Sequence, residues 1–197
     1  MKAAPMAGEE AAARQHDFPT AAGILFGLGL GGFFDGIVLH QILQWHHMLS
    51  SWRPPTSVAT MALNTFWDGI FHASTYVFAC FGLAILWRRA HRGLLFWSGK
   101  LLAGTLLLGW GIFNFVEGLL DHQILGIHHV NELAPRRQWI WWDTGFLAWG
   151  LAMIALGLLF LRQRGREGGR QLIAAEWYSR VGSNHRPPDP QSGALTS

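Results

Sequence analysis

The chain has 197 residues, half of them hydrophobic and only 14% charged, with 11 Trp, 24 Gly and a formal net charge of +3. Such apolar content enriched in Trp and Gly points to one membrane domain, and because six of the 15 Lys/Arg follow residue 161, the basic balance is a flanking feature suited to lipid and not a nucleic-acid surface. The single Cys80 excludes an intrachain disulfide and a cysteine-based metal site.

In chain order, residues 1–17 are polar and Ala-rich, carry Glu9, Glu10 and Asp17, and lack the basic start and cleavage site of a signal peptide, so a retained, disordered cytoplasmic tail is expected. Four apolar runs follow: Phe18–Met48, Val58–Trp87, Leu94–Ile127 and Trp139–Leu161. Each exceeds the roughly 20 residues that a span needs, and a backbone in lipid must satisfy its own hydrogen bonds, so each is predicted helical. Gly27 and Gly29 in the first run and Gly109 and Gly111 in the third permit close helix approach. Arg88, Arg89 and Arg92 lie between the second and third runs, with Lys100 near the start of the third, and Arg162, Arg164, Arg166 and Arg170 follow the fourth, which predicts cytoplasmic termini. The two short proline-containing loops then face outward, within an aromatic belt of Trp45, Trp52, Trp139, Trp141 and Trp142, with Trp87 and Trp97 near the inner face. After Arg164 periodicity fades, and 165–197 reads as a disordered tail foreign to the fold, in which His185 has no assigned role.

A thirteen-residue stretch occurs twice. Asp35-Gly-Ile-Val-Leu-His40-Gln-Ile-Leu-Gln-Trp-His46-His47 shares seven positions with Glu117-Gly-Leu-Leu-Asp121-His122-Gln-Ile-Leu-Gly-Ile-His128-His129, at an offset of 82. Unrelated segments would share about one. Trp67-Asp68-Gly69 resembles Trp142-Asp143-Thr144-Gly145 at an offset of 75. The predicted architecture is therefore an all-α integral membrane protein whose four transmembrane helices are two tandem, parallel helical hairpins, 18–89 and 94–162, forming a four-helix bundle.

Ionisable groups in a membrane are costly, and here they recur in matched positions. Asp35, His40, His46, His47 and Asp68 in one hairpin correspond to Glu117, His122, His128, His129 and Asp143 in the other; His72 and Asp121 are unmatched secondary candidates. Continuous α-helix would place Asp35 about 20 Å from the end of its helix and more than about 100° away from His40, and would leave both His-His pairs at the outer surface. Imidazole and carboxylate on facing helices suit a divalent transition metal: Zn, Fe, Mn or Cu. Two alternatives stay open: a metal-free polar network for proton or ion handling, and a haem held by His40 and His122. A hydrolase lacks a visible nucleophile, since Ser74 and Thr75 suit backbone bonding.

The paired His-Gln-Ile-Leu-x2-His-His motif, with Trp67-Asp68-Gly69 and four spans, resembles the bacterial integral-membrane family called domain of unknown function 2243, over about Phe18–Leu161. The resemblance implies a four-span protein of the bacterial inner membrane. It brings no catalytic residues and no established activity. The lipid bilayer is the first partner expected, then another membrane protein or a second copy of the chain.

Overall fold

The computed structural model describes residues 18–93, 95 and 98–184, with side chains as far as Gln163. The expectations for 1–17, Trp97 and 185–197 lie outside the described residues. Helix α1 (Thr20–Phe33) continues as a π-helical segment, π1 (Phe34–Ile42). Helix α2 is Val58–His91, and α3 (Gly99–Glu117) continues as π2 (Gly118–Ile124). A 3-10 turn, Arg136–Gln138, leads into α4, Trp139–Asn184. No strand occurs among the described residues. Four helical stretches are long and apolar enough to cross a membrane: Thr20–Ile42, Val58–His91, Gly99–Ile124 and Arg136–Gln163. The all-α, four-span fold expected from the sequence is the fold observed.

Local signals set the helix ends. Ser57 caps α2 through a capping box with Thr60, and the Ser98 hydroxyl accepts from the Leu101 amide at the start of α3. Past α2, Gly93 takes a left-handed φ of 65°, where a side chain would be strained. One difference from expectation lies at the other end of the chain. Helix α4 runs to Asn184, so 165–184 is helical; good helix formers in Gln171-Leu-Ile-Ala-Ala-Glu176 sustain it. Contacts divide the chain into a unit ending at Leu161 and a second unit beginning at Arg162.

Within the first unit, α1 and α3 form the central pair. A Cβ on Gly27 would overlap backbone at Leu106 and Gly109, and one on Gly109 would overlap backbone at Ile24 and Gly27. The outer helices pack by matched contacts. Gly29 faces Thr75 and Ala79 of α2, while Gly111 faces Gly150 and Ile154 of α4. These partners repeat the offsets of 82 and 75 seen in the sequence. Half of the α1 and α3 spans is buried, against 11% and 17% for α2 and α4. The outer helices consequently present large apolar side chains outward, among them Phe66, Tyr76, Val77, Phe81, Trp141 and Trp149. That surface suits lipid, which supplies the apolar environment that water would not.

Candidate metal centre

The site begins with the change of helix type. In π1 the Leu43 amide donates to the Val38 carbonyl, and in π2 the Leu125 amide donates to the Leu120 carbonyl, each five residues back. Five residues span about 140° of an α-helix, but a π-turn returns them to one side. His40 Nε2 therefore lies 3.1 Å from Asp35 Oδ2, and His122 Nε2 lies 3.1 Å from Glu117 Oε1. This corrects the α-helical phase, which had separated each acid from its histidine. It also corrects the depth of Asp35, because the first helix stops at Ile42 instead of Met48.

Beyond each π-turn the chain reverses. Gln44 and Gly126 occupy the reversal with φ of 50° and 58°. The reversal turns His46 and His128 inward, where they are 2% and 1% exposed. The expected surface position of the His-His pairs is thus wrong for the first member of each. His46 Nδ1 donates to the Val130 carbonyl at 2.9 Å, and His128 Nδ1 donates to the Met48 carbonyl at 3.1 Å. Each carbonyl belongs to the residue after the opposite His-His pair, so the two loops hold each other's histidines. These backbone partners were not foreseen; no side-chain pattern announces them.

The second member of each pair stays nearer solvent and bonds a carboxylate from an outer helix. His47 Nδ1 lies 2.8 Å from Asp68 Oδ2, and His129 Nδ1 lies 2.7 Å from Asp143 Oδ2. Asp68 also accepts from the Met48 amide at 2.8 Å and meets His40 Nδ1 at 3.0 Å. Asp143 accepts from the Val130 amide at 3.0 Å and stands 3.8 Å from His122 Nδ1. Asp68 and Asp143 thus fasten loop backbone and imidazole to α2 and α4.

Four imidazoles then meet at the centre. His40 and His46 rings are 4.4 Å apart, His46 and His128 stack at 4.5 Å, and His122 and His128 lie 4.9 Å apart. Phe71 covers His40 and Phe146 covers His122. Two sets of donors fall close enough to hold an ion: His40, His46 and His128, and Glu117, His122 and His128. The polar atoms left without a hydrogen-bond partner include both Asp35 oxygens, His40 Nε2, His46 Nε2, Glu117 Oε2 and both His122 ring nitrogens. Such buried lone pairs are costly unless something fills them, and an ion bound by these donors would. His46 lies outside the spans; burial, reinforced by His128 and His40, holds its pKa well below the usual histidine value against the opposing pull of Asp35. Its Nδ1 proton is committed to Val130, so Nε2 presents a lone pair to the centre.

The other candidates fall outside these sets. His72 donates Nδ1 to the Asp68 carbonyl at 2.7 Å and lays its ring against Gly36, and half-buried Asp121 is in neither set. His47 and His129 bond the outer-helix carboxylates instead of joining the sets. His46 and His128 pack against His40 and His122, the two residues of the haem alternative, at 4.4 and 4.9 Å between ring centroids.

Fold and site define a four-span helical membrane protein with a buried histidine-carboxylate cluster. The chain belongs to the family described as a predicted membrane protein, domain of unknown function 2243, whose profile matches residues 22–164. No curated protein and no solved structure matches it.

Proposed function

We propose that the protein is a resident metal-binding protein of the bacterial inner membrane, with a His/carboxylate centre in the outer half of its bundle that serves redox chemistry. One observation carries the reading: Asp35, His40, His46, Glu117, His122 and His128 aim buried, largely unpartnered donor atoms at one another. Imidazole nitrogen and carboxylate oxygen suit Zn, Fe, Mn or Cu(II), of which Fe, Mn and Cu can serve redox chemistry, and the residues behind His40, His46 and His128 supply the orienting bonds that metal-ligating histidines ordinarily have. Redox use fits better than hydrolysis, because an electron can reach a buried site that a bulky substrate cannot. Arginine placement favours both termini in the cytoplasm. A reporter fused after Arg92 reads cytoplasm in that orientation, and an external signal reverses it.

The metal-free network is the competing reading, favoured by the direct His47–Asp68 and His129–Asp143 bonds. The inner contacts of Asp35 with His40 and of Glu117 with His122 and His128, at 3.0–3.1 Å, fit it too, but it leaves His46 Nε2 and Glu117 Oε2 without a partner. Elemental analysis of protein purified from metal-replete cells separates the two. A stoichiometric transition metal supports the centre; none, with no uptake on titration, leaves the polar network standing.

A further inference from the structure

The centre's donors do not converge on one point. Two sets of three lie close enough to hold an ion, His40, His46 and His128 in one and Glu117, His122 and His128 in the other; they have His128 in common, and Asp35, which is in neither, adjoins the first through His40 and His46. The matched contacts divide them between the repeats. Glu117 Oε1 stands 3.1 Å from His122 Nε2 and 3.0 Å from His128 Nε2. In the equivalent positions Asp35 reaches His40 Nε2 at 3.1 Å through one oxygen and His46 Nε2 at 4.0 Å through the other. Each carboxylate is thus flanked by the two imidazoles of its own repeat, and three of those four imidazoles are held at Nδ1, His40 by Asp68, His46 by Val130 and His128 by Met48, while His122 Nδ1 stands 3.8 Å from Asp143.

Resting on the metal-centre reading, we infer that the chain binds two metal ions, one held by Asp35, His40 and His46 and the other by Glu117, His122 and His128, and that each keeps a position open for a small exogenous ligand. Two histidines and one carboxylate supply three protein donors. Structural sites usually close the shell with four, whereas three donors leave room for water, dioxygen or another small molecule. Stacking of His46 on His128 at 4.5 Å makes the two sets neighbours. One small ligand can therefore meet both ions, as in paired-metal sites. Phe71 and Phe146 pack against His40 and His122 beside these positions.

The test uses the full chain purified in detergent and loaded with Co(II), with metal-to-protein ratio as the first readout. Two ions per chain are expected for the wild type. Asp35→Asn and Glu117→Gln should each lower the ratio to one, and the double variant to none. One ion in the wild type, lost entirely in either single variant, overturns the two-ion assignment while leaving a metal centre in place; no ion in any form removes the metal reading itself. Should a variant misfold, the wild type alone decides through its ratio and through spin coupling between ions in the Mn(II)-loaded protein, which a single ion cannot give. Azide is the ligand probe. A change in the Co(II) absorption bands on azide addition supports the open positions, and an unchanged spectrum overturns them.

Discussion

His46 and His128 stack face to face, ring centroids 4.5 Å apart and planes 10° from parallel, and each donates Nδ1 to a carbonyl in the other's repeat. This reciprocal hold makes the two loops one structure. Each histidine takes its Nδ1 partner from the opposite loop, so these two bonds need both loops in position.

The reversal that delivers these histidines is strained in one repeat and relaxed in the other. Gln44 has a φ of 50° where its counterpart is Gly126 at 58°. A side chain in the left-handed region costs about 1–2 kcal/mol. Gln44→Gly should stabilise the protein by up to about 1 kcal/mol, allowing for the greater freedom of glycine in the unfolded chain. Gly126→Ala should destabilise it by about 1–2 kcal/mol although a Cβ there meets nothing within 4 Å. Thermal unfolding in detergent reads both.

Glycines in this bundle are not interchangeable. Gly27→Ala drives a methyl into α3 backbone and should cost several kcal/mol, in the range of core overpacking or beyond. Gly69→Ala and Gly145→Ala meet open space on the outer helices and should be neutral or stabilising by up to about 1 kcal/mol through helix propensity. Comparison of the three melting curves checks the contrast.

Much of this was legible in the sequence. The spans follow from apolar length, and the close helix approach at Gly27 and Gly109 follows from small residues, although the sequence does not pair the two. The acids and histidines of the centre stand out because membranes penalise them. What the sequence hid was backbone. Nothing in the Asp35–His47 stretch distinguishes a π-turn from an α-helix, since the amides are the same and only the register changes. Phase at 100° per residue therefore set Asp35 apart from His40, and the fold-back at Gln44, carried by a residue with no special turn propensity, was invisible until the Gly126 copy is compared with it.

Asp68 and Asp143 act through other residues. Asp68→Asn keeps shape but weakens the hold on His40 and His47, and metal affinity should fall about 10–100-fold. Competition against a chelator of known affinity measures it. An unchanged affinity in both Asp68→Asn and Asp143→Asn would deny these carboxylates an orienting role.

Acid should destabilise the metal-free protein through His46. Its pKa is depressed in the folded state by burial, so folding favours the neutral ring. The associated stability is complete above the unfolded-state pKa of about 6.5 and is lost as pH falls below it toward the folded value. His46→Asn removes this contribution. Chelator-treated wild type should lose more stability between pH 7.5 and 5.5, both about one unit from that reference, than the variant does. An equal loss in the two proteins would remove His46 as the cause.

X-ray absorption at the edge of the bound metal tests the central claim most directly. A first shell of nitrogen and oxygen at about 2.0–2.2 Å with the outer scattering of imidazole, and no sulfur, is expected, since Cys80 is exposed and lies outside both donor sets. That signal should be abolished when His40, His46, His122 and His128 are replaced together and kept when His72 is replaced. A sulfur shell, or an imidazole signal that survives loss of those four histidines, would contradict it.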